Sequence, residues 1–179
     1  MIARDYQERC IDRIFDEWTR VRATAAIMAT GLGKTIVFAH VIAKVQPKRT
    51  LVIAHRKELI DQAVDKITRV TGLSCAVEMA DNYVHADLFH RSPVIVATVQ
   101  SLNSGKGARM RRFDPMQFGL VVCDEFHHGT AGTYRKVFDH FKQNPELRIL
   151  GVTATPDRAD EEALSQVCDS VAFHYDILD

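Results

Sequence analysis

The chain has four cysteines, Cys10, Cys75, Cys123 and Cys168, and no two of them form a CxxC pair. That spacing excludes a small disulfide scaffold and argues against a zinc site; buried free thiols in a reducing, cytoplasmic setting are expected instead. Net charge is absent as well, with 23 Lys and Arg against 23 Asp and Glu. No global basic field therefore announces a polyanion, and any such binding has to come from a local surface. No apolar run approaches the ~20 residues of a membrane span. The opening Met1-Ile2-Ala3-Arg4-Asp5 lacks a signal-peptide pattern, so no membrane partner is expected. Internal repeats and low-complexity segments are missing too. What remains is a chain of 179 residues, 46% of them hydrophobic. That fits one α/β domain burying roughly 70% of its unfolded surface.

The most distinctive stretch is Ala29-Thr30-Gly31-Leu32-Gly33-Lys34-Thr35. Ala25–Ala29 before it suits a buried strand, and Ile36–Ala43 after it suits a buried helix. In such a strand, glycine loop and helix unit, Gly31 and Gly33 adopt backbone angles closed to other residues and leave main-chain N–H groups open to a phosphate. The helix start adds unpaired donors and the positive end of its dipole. Lys34 can then reach the β- and γ-phosphates, and the Thr35 hydroxyl can ligate Mg²⁺. The eight-residue form of this pattern begins with glycine, whereas Met28 stands there. A glycine-rich turn that merely caps a helix is the alternative.

Other stretches carry paired readings. Asp5 with Glu8 caps an amphipathic helix whose stripe Ile11, Ile14, Phe15, Trp18 predicts a run to about Arg22. Arg4-Asp5-Tyr6-Gln7 at its head is either that cap or part of a site. Pro47-Lys48-Arg49 make a turn before the strand Thr50–Ala54. At that strand's end, His55-Arg56-Lys57 border either a ligand or solvent, and Leu59, Ile60, Ala63, Val64 and Ile67 stripe the next helix. Ser74–Met79 is a further strand candidate, Asp81–Ser92 a polar segment that could form a short helix, and Pro93–Thr98 a clearer strand. Thr98, Gln100 and Ser101 offer small polar groups to a phosphate backbone, or a helix cap. The basic run from Gly105 to Arg112 is expected as an exposed loop, solvated or in contact with a polynucleotide.

Gly119–Cys123 forms a strand that ends in Asp124-Glu125. An aspartate there can hold Mg²⁺ and its neighbour can deprotonate an attacking water; a plain strand-to-loop switch is the alternative. His127 and His128 are a poor zinc pair, because adjacent residues on an extended chain point apart. Tyr134, Val137, Phe138 and Phe141 stripe a helix, and Leu147–Val152 is a strand running into Thr153-Ala154-Thr155-Pro156. Glu161–Cys168 is a short-helix candidate and Ser170–Tyr175 a last strand.

Taken in order, RDYQ, ATGLGKT, VIAHRKELIDQ, ATVQSL, DEFHH and TATPDR resemble the amino-terminal motor lobe of superfamily-2 helicases. The likeness is greatest to the DExH group of type III restriction subunits and repair helicases. It covers nearly the whole chain. It implies an α/β, three-layer P-loop NTPase (RecA-like) domain over 1–179, with a mainly parallel central sheet and helices on both faces. It implies that Gln7, with Arg4 nearby, reads adenine, that Thr30 to Thr35 hold ATP, that Thr35 and Asp124 hold Mg²⁺, and that Glu125 is the base. By the same resemblance His127, Thr153 and Thr155 couple hydrolysis to movement, and His55, Arg56, Thr98 and Gln100 line a nucleic-acid track, DNA rather than RNA. A motor of this kind needs a second RecA-like lobe for its arginine fingers. The chain is therefore expected to be a monomeric one-lobe piece that binds nucleotide but hydrolyses it slowly or not at all alone. A non-motor nucleotide switch and a structural domain with a degenerate loop are the competing readings.

Overall fold

The computed structural model describes residues 2–80, 92–125, 131–154, 164–165 and 167–175. Among them seven strands run in chain order: β1 (Ala23–Met28), β2 (Arg49–Ala54), β3 (Cys75–Glu78), β4 (Val94–Thr98), β5 (Phe118–Asp124), β6 (Arg148–Thr153) and β7 (Ser170–Tyr175). They form one sheet in the order β3-β4-β2-β5-β6-β1-β7, and every pairing is parallel. The expectation of a mainly parallel sheet is thus met by a wholly parallel one. The central strands are apolar along their length, as sheets covered on both faces require.

Alternation along each strand divides the core. Ala26 and Met28 of β1 face α1 (Asp5–Glu17), α2 (Lys34–Lys44) and α3 (Lys57–Thr71). Ala23, Ala25 and Ile27 of the same strand face α4 (Val99–Gly107) and α5 (Ala131–Phe141). Three layers result, with helices on both faces.

Helix α1 departs from expectation at both ends. It stops at Glu17, not near Arg22: the Thr19 hydroxyl donates to the Asp16 carbonyl at 2.7 Å, and the Trp18 indole donates to the Ile149 carbonyl of β6 at 3.2 Å. These bonds take up a terminal carbonyl and dock the last turn on the sheet. At the start, Gln7 rather than Glu8 does the capping: the Arg4 N–H donates to Gln7 Oε1 at 2.9 Å.

The basic run also departs from expectation. Helix α4 loses helical geometry at Ser104, and Gly105, Lys106 and Gly107 all have positive φ. Arg109 is not on a solvated loop. It is buried, its Nε donating to Glu78 Oε1 at 2.6 Å and its Nη1 to the Ala80 carbonyl at 2.6 Å. Arg112 also pairs with Glu78, at 3.4 Å. The acid at the end of β3 drew the arginine inward, since an unpaired carboxylate there would be costly. Of the cysteines, Cys10, Cys123 and Cys168 are buried and Cys75 is half-buried; burial pushes Cys10 and Cys168 up to about 12.

Candidate nucleotide and nucleic-acid site

In an open parallel sheet, ligands sit beyond the carboxyl ends of the strands where the winding direction switches. The chain leaves β1, whose sheet neighbours are β6 and β7, and crosses to β2 beyond β6 and β5. The predicted site residues emerge at that end. Gly31 has φ +88° and open space where a side chain would be, and Gly33 caps α2 with φ +78°. A Cβ on Gly33 would also sit 2.5 Å from Gln7 Nε2. Only glycine combines that angle with that approach.

The loop is tied to α1 through one carbonyl. Leu32 C=O accepts from Gln7 Nε2 at 2.9 Å and from the Tyr6 hydroxyl at 3.0 Å, while the Leu32 N–H donates back to Ala29 C=O at 3.2 Å. Leu32 therefore holds the loop and has no free N–H for a phosphate. The N–H groups of Gly31 and Gly33 have no partner among the described residues. A cleft of about 270 Å³ opens here between Arg4, Tyr6, Gln7, Gly31, Gly33 and Ile36. Tyr6 stacks on Tyr175 of β7, with ring centroids 5.1 Å apart and planes within 3°. Sequence reasoning did not single out either tyrosine; the only signal was that Tyr6 precedes Gln7 and Tyr175 ends a strand.

Lys34 is buried, with Nζ 3.5 Å from the Met28 carbonyl and 3.1 Å from Glu125 Oε1. The glycine loop and the acidic strand end therefore meet. Glu125 has φ +49°, a strained value for a residue with a side chain, and its N–H donates to Val152 C=O at 3.0 Å. Asp124 is buried beside it, and Oδ1 accepts no hydrogen bond. Burial, and then the Glu125 charge, push the Asp124 carboxyl from 3.8 up to about 6, against the pull of Lys34. A buried carboxylate oxygen without a partner suits a cation or its bound water. Thr35 is half-buried in the first turn of α2, and Thr30 is exposed. Thr153 is buried at the end of β6, one residue past the Val152 that registers with Asp124.

The same sheet end continues outward through β2 and β4. His55 is half-buried after β2, and Arg56 is exposed at the start of α3. Thr98 does not offer its side chain outward: it is buried, accepts from Ser101 N–H at 3.1 Å and donates to Ser101 Oγ at 2.7 Å. It is a helix cap, and Gln100 is the exposed group beside it. His127 and Thr155 lie outside the described residues, as do most of the polar 81–92 segment and half of the 161–168 helix candidate.

Residues 1–158 match the family described as "Type III restriction enzyme, res subunit". The chain is 32% identical over 192 residues to the Saccharomyces cerevisiae protein named "Putative ATP-dependent helicase IRC3", covering 99% of this chain and 27% of that one. Among solved structures, the helicase domain of Pyrococcus furiosus Hef aligns with a TM-score of 0.77 at 21% identity, over 96% of this chain and 37% of that one. A nuclease-deletion mutant of the Type ISP restriction-modification enzyme LlaGI, in complex with a DNA substrate mimic, aligns with a TM-score of 0.72 at 18% identity, over 99% of this chain and 20% of that one. These two likenesses are of fold.

Proposed function

The chain belongs to the family of the type III restriction enzyme res subunit, and from that premise we propose that it is the nucleotide-binding lobe of an ATP-driven motor on DNA. One observation carries the reading: Lys34 of the glycine loop and Glu125 at the end of β5 meet at 3.1 Å beside a buried, unpartnered carboxylate oxygen of Asp124. Those are the three charges that phosphoryl transfer to water calls for.

In this reading the N–H groups of Gly31 and Gly33 and the first turn of α2 receive the phosphates. Lys34 turns from Glu125 to the phosphate oxygens, and Glu125, released from its ion pair, takes a proton from the attacking water. Lys34 and Glu125 therefore neutralise each other until nucleotide arrives. Mg²⁺, held by Asp124 and the Thr35 hydroxyl, supplies charge neutralisation at the phosphates when bound. Arg4, Tyr6 and Gln7 line the cleft for the base, and Thr153 relays changes at Asp124 along β6. Arg56 and Gln100, exposed at the same sheet end, contact the nucleic-acid backbone. Rapid turnover awaits an arginine from a second lobe, worth about 10³–10⁵ in rate in such enzymes. The chain's span of 27% of its yeast relative leaves room for that lobe.

The test is titration with a non-hydrolysable ATP analogue, with and without Mg²⁺ and duplex DNA. Mg²⁺-dependent binding that DNA strengthens, and that Lys34→Ala abolishes, is expected. Binding indifferent to Lys34→Ala refutes the site, and binding indifferent to DNA and RNA refutes the motor in favour of a switch, because a motor couples its two sites.

A further inference from the structure

The basic run was left with two readings, and the structure divides its cations. Arg109 and Arg112 turn to Glu78. Lys106 and Arg111 do not: both are exposed, and neither has an acidic partner among the described residues. They are held together, since Arg111 Nη1 donates to the Lys106 carbonyl at 2.9 Å. Lys106 itself, at φ 56°, sits between Gly105 and Gly107 on a left-handed turn. The buried Arg109 anchors that turn to Glu78 and Ala80, at the carboxyl end of β3.

That anchor fixes where the two free cations stand. Along the carboxyl edge of the sheet, β1, β6 and β5 carry the nucleotide residues, β2 carries Arg56, β4 carries Gln100, and β3 carries the anchor of the Lys106 turn. The anchor of the Lys106 turn thus lies on the β3 side of Arg56, away from the nucleotide site. On a chain of zero net charge, a paired cation point at that place is the local surface that polyanion binding requires.

We infer that Lys106 and Arg111 form a further phosphate-binding point for the nucleic-acid backbone, beyond Arg56, on a turn that the buried Arg109–Glu78 pair holds in place. The inference rests on the motor reading of the preceding section. It assigns to Arg109 a positioning role, and to Lys106 and Arg111 direct contact.

The test measures affinity for duplex DNA and for duplex RNA of one sequence over a salt series, for the chain, Lys106→Asn/Arg111→Gln, Arg56→Gln, and Lys48→Gln at the opposite sheet end. Asparagine tolerates the left-handed angle at position 106, and unchanged nucleotide affinity verifies folding. Losing two phosphate contacts lowers the slope of log K against log salt by ~1.8 on duplex DNA, so the wild-type advantage shrinks about tenfold between ~50 and ~200 mM salt. Lys48→Gln leaves the slope unchanged. Equal losses on DNA and RNA identify the shared phosphate as the ligand; a loss on DNA alone restricts the point to the DNA duplex. An unchanged slope in the double variant beside a lowered one in Arg56→Gln overturns the inference and leaves the motor reading standing. Weaker binding with an unchanged slope also overturns direct contact. Wild-type chain that binds neither nucleic acid overturns both.

Discussion

Replacing Asp124 by asparagine should make the metal-free protein more stable while removing its response to Mg²⁺. Asp124 is buried beside Glu125, and its carboxyl is raised from 3.8 to about 6. The folded state thus binds a proton more readily than the unfolded chain, and stability linked to this group is complete below pH ~4 and lost as pH rises through ~6. The shift of about two pKa units corresponds to ~3 kcal/mol of native-state penalty at pH 8, and about half of that at pH 5. Asparagine has no charge to desolvate but leaves an amide in its place, at ~1–3 kcal/mol. The clean quantity is therefore the change with pH: relative to wild type, the variant should gain ~1.5 kcal/mol between pH 5 and pH 8. Urea denaturation in EDTA at the two pH values measures it. In the presence of ATP analogue and Mg²⁺ the order should reverse, because only wild type can use the cation. A difference that does not vary with pH, or a variant that loses ground as pH rises, refutes the reasoning.

The Lys34–Glu125 ion pair predicts that Glu125→Gln, tested on a form of the chain that hydrolyses ATP, keeps nucleotide binding yet loses hydrolysis by two orders of magnitude or more, read by phosphate release. Gly33→Ala should weaken analogue binding at least tenfold, by isothermal titration, since a Cβ there meets Gln7 Nε2 at 2.5 Å with φ at +78°. Arg109→Met strands part of the charge of fully buried Glu78 and should cost ~3–5 kcal/mol; Glu78→Leu/Arg109→Met should recover most of it in denaturation midpoints. Half-buried Cys75 should be alkylated before the three buried thiols, in peptide mapping of native protein.

The fold was legible because apolar runs of five or six residues, separated by helical stripes, leave few alternatives to a covered parallel sheet. The glycine loop and Asp124-Glu125 were legible for a different reason: their chemistry is local, carried by neighbours in sequence. What escaped depended on distant partners. Nothing in Arg109's own surroundings in sequence announces that Glu78 waits in the core, and the choice between phosphate ligand and helix cap at Thr98 is made only by its two bonds with Ser101. Tyr6 and Tyr175 become a pair only once β7 lies beside β1.

The sheet order also bears on how the molecule is made. β2 and β4 find their neighbours within the middle of the chain, whereas β1 pairs with β6 and β7, from its far end. Closing so long a loop is entropically slow, and parallel pairing of this kind rewards it late. During synthesis the middle strands can pair while β1 waits as an apolar segment seeking cover, a natural client for a chaperone. Pulsed hydrogen exchange should find the amides of Ala23–Met28 protected last. The strand that leads into the glycine loop is therefore fixed at the end of folding, and a chain released early has its middle sheet before it has its candidate nucleotide site.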